Sequence, residues 1–338
     1  MRSSVLFLFF VFIIILLLTK INIKNEHEIS LMGLTMGPIV YNVKYISEDS
    51  IIDKNEIDSL LISFNNIFST YIPDSYISVL NKSKSIDTIN PYFYFLLKES
   101  KKIYKISEGA FDPTIGPLVN VWGFGPKSID DIPSNDEIFK ITKLVGFDKL
   151  FFDENIIEKH HKDVYLDFSS IAKGYAIDLI AEFLSNKNIE NYFIDIGGEV
   201  KCKGKNSKSK IWRIGIEAPS ILNNSRELIA TVKLDDLSLA TSGNYRNYYM
   251  KNDTIIAHTI NPKTGYPARS NVLSASVFSK DCFISDAYAT AFMVLGYEKA
   301  KEIAENNNLI DVMLIYENSE GNLETYISNN LHDMIKFN

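Results

Sequence analysis

The stretch YLDFSSIAKGYAIDLIAEFL, residues 165–184, begins like a buried strand and continues like an amphipathic helix. Asp167, Ser169, Ser170 and Lys173 lie where the two patterns meet, and either serine is placed to cap the helix. The N-terminus of a helix offers unpaired N–H groups and a positive potential, which suit a phosphate. Lysine opposes the dipole there unless an anion lies nearby. The junction therefore indicates a bound anionic ligand or, equally, a local ion pair between Asp167 and Lys173.

Strand and helix patterns are mixed on both sides of this junction, without a strict β-α-β alternation. This mixture predicts a compact α+β body over residues 30–338. Segments 191–204 and 210–219 are predicted as antiparallel strands around a lysine-rich turn. The other predicted strands are 36–46, 163–168, 228–234, 238–243, 255–258, 272–278, 311–317 and 323–328. The predicted helices are 56–75, 90–109, 134–145, 171–186, 285–296 and 297–308.

The N-terminal stretch MRSSVLFLFFVFIIILLLTK resembles a secretory signal or a signal anchor, which we assign to residues 1–24. Its apolar run, from Val5 to Leu18, is shorter than the roughly 18–20 residues that comfortably span a bilayer. Small residues typical of a cleavage site are missing after it, which favours an uncleaved anchor over a removed signal peptide, and the missing lipobox cysteine argues against a lipoprotein. A buried core helix is the alternative, but such a helix seldom lacks a polar face. Arg2 on the short side of the run predicts that the body lies outside the cytoplasm.

The composition excludes several classes of protein. The chain has 338 residues, a net charge of -7 and 46% hydrophobic residues, so it is globular and lacks the basic character of a nucleic-acid binder. Two cysteines cannot form a disulfide framework, and no Cys/His cluster indicates zinc. The segment 201–210 holds five lysines, which are typical of a solvated loop or, alternatively, of a basic rim that attracts anions.

The segment AFDPTIGPLVNVWGFGP, residues 110–126, is rich in glycine, proline and aromatic residues and is predicted to be an ordered loop. Asp112 precedes a proline, which biases its backbone towards an extended conformation. A carboxylate beside Phe111 and Trp122 suits a planar ring with polar edges, such as a flavin or a nucleobase. Aromatic packing beneath a long loop is the alternative interpretation.

The segment HTINPKTGYP begins with His258, which ends a predicted strand and leads into a Pro/Gly turn. The other histidines lie in polar stretches without a pattern. An unperturbed histidine has a pKa near ~6.5, so His258 is a candidate general base. A purely structural histidine is the alternative.

The segment SDAYATA places Asp286 and Thr290 four residues apart on a predicted helix, so their side chains lie on one face. A carboxylate and a hydroxyl are hard oxygen ligands, which suit Mg²⁺ rather than zinc or copper. The alternative is that Asp286 favours the first turn of the helix and Thr290 bonds back to the helix backbone.

Taken together, these segments resemble one family, the ApbE-type FAD:protein FMN transferases. The resemblance extends over roughly residues 34 to 300, in the order of the family's motifs. The matching stretches are MG at 36–37, FSTYIPDSYISVLN at 68–81, GAFDPTIGPLVNVWGFGP at 109–126, LDFSSIAKGYAID at 166–178, IDIGGEV at 194–200, WRIGIEAP at 212–219, TSGNYR at 241–246, HTINPKTGYP at 258–267 and SDAYATAFMVLG at 285–296.

The resemblance implies a compact α+β body related to the T-fold. It also implies a Mg²⁺-dependent enzyme that transfers the FMN half of FAD to a threonine or serine of an acceptor flavoprotein and releases AMP. The acceptor would be a redox-pump subunit or another extracytoplasmic flavoprotein. His258 would be the base, and Mg²⁺ would be held by Asp286, Thr290 and the carbonyl of Ser170. The residues implied to line the FAD site are Met36, Tyr71, Ala110, Phe111, Asp112, Asp167, Lys173 and Ile260.

Two positions depart from the family's pattern. Asn261 stands where the family commonly has aspartate, so a charged role there is in doubt, although asparagine can still cap the turn. Pro38 replaces a common threonine. This change should be tolerated, because the contact with FAD is expected from Met36. Two other functions remain open: an FAD pyrophosphatase that gives FMN and AMP, and an anchored FAD-binding protein without catalysis.

Overall fold

The structure is a computed structural model that describes residues 26–48, 52–126, 131–219, 227–243, 248–251 and 254–338. The predicted anchor, residues 1–24, lies outside the described residues. Within those ranges, no helix combines the length and the apolar character that a membrane crossing requires.

An eight-stranded sheet dominates the described part of the chain, and all its strand pairs are antiparallel. From one edge to the other, its order is β1-β2-β6-β7-β10-β13-β14-β15. These strands are β1 His27–Thr35, β2 Ile39–Ser47, β6 Tyr192–Ile196, β7 Glu199–Lys203, β10 Leu237–Gly243, β13 Val272–Ser279, β14 Ile310–Glu317 and β15 Leu323–Ile327.

Three smaller sheets complete the strands of the described ranges. One has the order β16-β9-β8, another β3-β5-β4, and β11 pairs with β12. Their strands are β3 Ser85–Ile86, β4 Leu150–Phe152, β5 Ile157–Lys159, β8 Trp212–Glu217, β9 Leu228–Leu234, β11 Tyr248–Lys251, β12 Thr254–Ala257 and β16 Ile335–Phe337.

Eight α-helices lie in the described residues, and sequence-local signals set several of their ends. Asp53 and Glu56 form a capping box at the start of α1, and Asn90 caps α3 with Pro91 as its first residue. The helices are α1 Lys54–Phe68, α2 Tyr76–Lys82, α3 Pro91–Ile106, α4 Gly116–Val121, α5 Asn135–Thr142, α6 Ala172–Asn186, α7 Cys282–Leu295 and α8 Tyr297–Asn306.

The main sheet separates two apolar layers, because residues that alternate along a strand face opposite sides. In β14, Val312 and Leu314 join the large core formed with the helices. Met313 and Ile315 join a second core under the β16-β9-β8 sheet. Both faces of β14 are therefore covered, which explains its continuous apolar run.

The predicted strand at 163–168 is wrong. Only Tyr165 forms a bridge, to Ile115. Its neighbours bond elsewhere: the Leu166 N–H donates to the Asn81 side chain, and the Asp167 N–H donates to the Pro113 carbonyl. These partners replace a neighbouring strand, so the segment is extended but belongs to no sheet.

Three further predictions are corrected. Strands β7 and β8 belong to different sheets, because β7 joins the main sheet and β8 pairs with β9. A single antiparallel bridge, Lys205 to Ile211, joins the chain across the lysine-rich turn. Lys201 is not in a solvated loop either, since it lies in β7 and is only 7% exposed. The predicted loop at 110–126 contains the short helix α4.

Candidate active site

Helices α6 and α7 approach each other closely at their N-terminal ends. A Cβ at Gly174 would lie 2.4 Å from the Cys282 carbonyl oxygen and 2.7 Å from the Phe283 Cα. Both are backbone atoms, so only glycine allows this separation of the two helices. The contact brings the start of the segment that opened the sequence analysis against the start of the helix that carries Asp286.

The two helices cap each other through carboxylates. Asp286 of α7 accepts a hydrogen bond from the Gly174 N–H, in the first turn of α6, at 3.0 Å. Asp178 of α6 accepts from the Cys282 and Phe283 N–H groups, at the start of α7, at 2.9 Å each. In the described structure, neither helix receives a cap from its own N-cap side chain. The predicted cap from Ser169 or Ser170 is therefore wrong, since a neighbouring helix supplies it.

The Asp178 carboxylate also binds a buried lysine. Its Oδ1 lies 2.7 Å from the Lys201 Nζ, and the two side chains are 13% and 9% exposed. Burial raises the pKa of Asp178, while Lys201 and the two N–H groups act in the opposite direction. Lys201, from strand β7, thus neutralises the charge of the Asp178 carboxylate that caps α7.

Buried hydroxyl groups attach the start of α7 to the main sheet. The Ser285 Oγ lies 2.9 Å from the Ser238 Oγ and 2.8 Å from the Ser279 Oγ. Ser238 also donates to the Ser279 carbonyl at 2.7 Å. Ser285 precedes Asp286, so these bonds and the mutual caps together fix where the Asp286 carboxylate lies.

Lys173 lies between two carboxylates from different elements. Its Nζ is 3.4 Å from the Glu199 Oε1 and 3.8 Å from the Asp286 Oδ1. Burial would lower the pKa of Lys173, but the two carboxylates outweigh it and raise that pKa. Burial, followed by repulsion from Asp286, raises the pKa of Glu199 to about 7 against the attraction of Lys173. Lys173 thus pairs with these two residues rather than with Asp167.

The oxygen atoms at this junction fit a hard divalent cation. Asp286 is 3% exposed and has Oδ1 facing Lys173, and the half-buried Thr290 follows one turn later. The half-buried Ser170 lies just before α6. Among the described residues, the buried Glu199 Oε2 has no hydrogen-bond partner. No group of three or more His, Cys, Asp and Glu that could hold a metal occurs in the described ranges. The oxygen donors of Asp286, Thr290 and Ser170 suit Mg²⁺, which keeps several waters and binds few carboxylates.

Asp112 lies in a second, separate cluster of hydrogen bonds. Its Oδ1 accepts from the Thr114 N–H at 2.8 Å and from the Thr114 hydroxyl at 2.7 Å. The same hydroxyl accepts from the Gly146 N–H at 2.6 Å. Burial raises the pKa of Asp112 to about 6 despite these bonds. Ala110 and Phe111 are 4% and 1% exposed.

Asp167 is fixed from both sides. Its Oδ1 accepts from the Ser169 N–H at 2.7 Å, which forms a turn just before α6. Asn81 binds the preceding residue twice: it donates to the Leu166 carbonyl at 2.9 Å and accepts from the Leu166 N–H at 2.8 Å. The side chain of Asn81 therefore replaces a strand partner and sets the path of the chain into Asp167.

His258 lies beside aromatic residues. It is half-buried, and its ring centroid is 6.3 Å from that of Phe124 in an edge-on arrangement. The Tyr71 hydroxyl donates to the Phe124 carbonyl at 3.3 Å, while its ring is 66% exposed. These contacts connect the segment around Tyr71 with the loop after α4 and with His258.

The turn after His258 is held by local and distant bonds. Asn261 accepts from the Lys263 and Thr264 N–H groups, so the expected cap by asparagine is confirmed. The Trp122 indole donates to the Gly265 carbonyl at 2.7 Å. The buried Ile260 forms a bridge with the proline that ends the turn.

Met36 lies in the turn between β1 and β2, half-buried, with a φ of 49°. A positive φ is uncommon for a residue with a side chain. The tight turn therefore sets the orientation of Met36, and Gly37 follows it with a φ of 83°.

Comparison with known proteins identifies the family of this chain. The sequence model of the ApbE family matches residues 32–314. The chain belongs to the ApbE family. It is 37% identical over 305 residues to the FAD:protein FMN transferase of Vibrio cholerae, covering 88% of this chain and 90% of that protein. The corresponding protein of Haemophilus influenzae is 39% identical, with 86% and 88% covered. The structure of the flavin transferase ApbE from Vibrio cholerae superposes with a TM-score of 0.82 at 36% identity, over 91% of this chain and 99% of that one.

The ApbE resemblance and the α+β fold predicted from the sequence are thus confirmed. For this ApbE protein, sequence reasoning missed two acidic residues of the site, Glu199 and Asp178. Both lie in stretches that carry the resemblance, IDIGGEV and LDFSSIAKGYAID. The only local signal was an acid within a largely apolar segment.

Proposed function

We propose that this protein is an FAD:protein FMN transferase, which moves the FMN half of FAD to a threonine or serine hydroxyl of an acceptor flavoprotein and releases AMP. The family and the names of the relatives support this activity. The observation that carries it is the meeting of two helix N-termini at Lys173 and Asp286. An ammonium group beside a carboxylate that can hold a cation is suited to a diphosphate.

In this proposal, the diphosphate lies at the junction of α6 and α7. The Lys173 ammonium group binds its oxygens. Asp286, Thr290 and the carbonyl of Ser170 would hold Mg²⁺, which would neutralise charge on the transferred phosphate. Asp286 offers Oδ1 for this purpose, because its Oδ2 is bound to the Gly174 N–H.

His258 takes the proton of the acceptor hydroxyl. The hydroxyl oxygen then forms a bond with the phosphorus of the FMN half, the P–O–P bond breaks, and AMP leaves with the bridging oxygen. Aspartates 112 and 167 orient FAD rather than attack it. Residues 110 and 111, which are buried, line the FAD site beside Asp112. Met36, Tyr71 and Ile260 complete the FAD site.

We further propose that residues 1–24 anchor the protein in a bacterial inner membrane, with the body on the periplasmic side. The unbroken apolar run and Arg2 support this location. The acceptor would then be a redox-pump subunit or another extracytoplasmic flavoprotein. The net charge of -7 speaks against a nucleic acid as partner.

The test mixes the full chain in detergent with FAD, Mg²⁺ and a candidate acceptor, and measures the mass of the acceptor. A gain of one FMN supports transfer. AMP release at the same rate without an acceptor would indicate a pyrophosphatase, and tight FAD binding without turnover would indicate a binding protein.

Matched variants separate the roles of the residues. Asp286→Ala should abolish the mass gain because the metal is lost. His258→Ala should slow transfer by about 100-fold or more while FAD affinity changes little. His332→Ala, at an exposed histidine, is the matched control and should transfer at the normal rate. Normal transfer by His258→Ala would show that the base is another group.

A further inference from the structure

In the proposed site, the Oδ1 atom of Asp286 would contact both Lys173 and Mg²⁺. Its Oδ2 is bound by the Gly174 N–H at 3.0 Å, whereas its Oδ1 faces the Lys173 Nζ at 3.8 Å. A cation that binds Asp286 through Oδ1 would therefore lie close to the Lys173 ammonium group. Two positive groups cannot both use one carboxylate oxygen in a largely buried site without repelling each other.

Glu199 provides the second carboxylate. It begins β7 directly after the tight turn at Gly197 and Gly198, and its Oε1 lies 3.4 Å from the Lys173 Nζ, closer than Asp286. Gly197 has a φ of 63°, and a Cβ built there would lie 3.9 Å from both the Glu199 Oε2 and the Lys173 Cδ. The hairpin turn thus lies against both side chains.

The burial of Glu199 is unfavourable by itself. The residue is 7% exposed, and within the described part of the chain its Oε2 lacks a hydrogen-bond partner. An unsatisfied charged group in a buried site is more unfavourable than a neutral one. A carboxylate held at such a cost beside Lys173 indicates a role in the site rather than in packing.

We propose that Glu199 is a positioning residue that holds Lys173 away from Asp286, so that Asp286 can bind Mg²⁺ while Lys173 stays beside the diphosphate. This inference rests on the proposed function, because it assigns a charged partner to Lys173 and so leaves Asp286 to the metal. Without the Glu199 charge, Lys173 has Asp286 as its remaining carboxylate and competes with Mg²⁺ for it.

The test is a double-mutant cycle on the full chain in detergent, with Mg²⁺ alone titrated by calorimetry, without FAD or acceptor. Glu199→Gln should weaken Mg²⁺ binding about tenfold or more, because Lys173 moves onto Asp286. Lys173→Met should strengthen it. The double variant should regain at least the affinity of the wild type, since the competing ammonium is gone.

Controls make each outcome decisive. Glu199→Asp keeps the charge and should bind Mg²⁺ nearly as the wild type does. Asp195→Asn removes another carboxylate of the same hairpin and should leave Mg²⁺ affinity unchanged. If Glu199→Gln does not fold, the double variant is compared with Lys173→Met alone, and the two should bind Mg²⁺ equally.

Three results would overturn the inference: unchanged affinity in Glu199→Gln, a double variant as weak as Glu199→Gln, or a wild type that binds no Mg²⁺. The second would make Glu199 a metal ligand itself. FMN transfer by the wild type is measured in parallel. If the wild type transfers FMN but the double variant does not regain Mg²⁺ affinity, only the role of Glu199 is rejected. If the wild type transfers FMN to no acceptor, the proposed function is rejected.

Discussion

Replacing Gly174 with alanine tests whether the close approach of α6 and α7 builds the site. The new Cβ would lie 2.4 Å from the Cys282 carbonyl oxygen, 2.6 Å from its carbon and 2.7 Å from the Phe283 Cα. Ordinary contacts are about 3.5–4.0 Å, so the helices must separate by about 1 Å. Overpacking of this kind costs roughly 1–3 kcal/mol, and backbone atoms, which cannot rotate away, favour the upper end. Alanine regains about 1 kcal/mol of helix propensity, which leaves a net loss of about 2 kcal/mol.

The assay measures urea unfolding and Mg²⁺ affinity on the same preparations. Gly174→Ala should lower the urea midpoint without changing the slope, because the folded state alone is strained. It should also weaken Mg²⁺ binding, since the Gly174 N–H that orients Asp286 moves with α6. Glu182→Ala, on the exposed face of the same helix, is the matched control and should change stability by less than about 0.5 kcal/mol.

The result that refutes this reasoning is a Gly174→Ala protein with the stability and the Mg²⁺ affinity of the wild type. The helices would then tolerate a wider separation, and their contact would not set the site. A loss of stability with unchanged Mg²⁺ affinity would limit Gly174 to a packing role.

Three further predictions concern the supports of the site. Asp178→Ala should lower the free energy of unfolding by about 3–5 kcal/mol, measured in urea, because it leaves the buried Lys201 and two N–H groups of α7 without their partner. Asn81→Ala should cost about 2–4 kcal/mol by removing both bonds to Leu166, and should weaken FAD binding, measured by flavin fluorescence, because Asp167 is released. Burial raises the pKa of Asp112 from 3.8 to about 6, so the folded state binds its proton more tightly than the unfolded state does. The stabilisation is complete below pH 3.8, and about 3 kcal/mol is lost as pH rises through about 6. The urea midpoint should therefore be higher at pH 4 than at pH 7 because of this group. Asp112→Asn should reduce that difference between the two midpoints.

The sequence by itself determined the features that depend on neighbouring residues. Asn90 and Pro91 start α3 as predicted, and Gly109 closes it through an N–H bond to the Tyr104 carbonyl. Asn261 caps its turn. These signals act within a few residues, so periodicity and capping rules find them. The order of the motifs also identified the family, because each motif is a local string.

Only the tertiary structure decided which groups complete one another across the chain. Asp286 caps a helix more than a hundred residues away, where a local serine was expected, and Asn81 takes the place of a strand partner for Leu166. Glu199 became part of the site because a hairpin of the main sheet places it beside Lys173. Unpaired N–H groups and buried charges accept any partner of suitable chemistry. Which partner satisfies them is set by packing, and local sequence patterns do not contain that information.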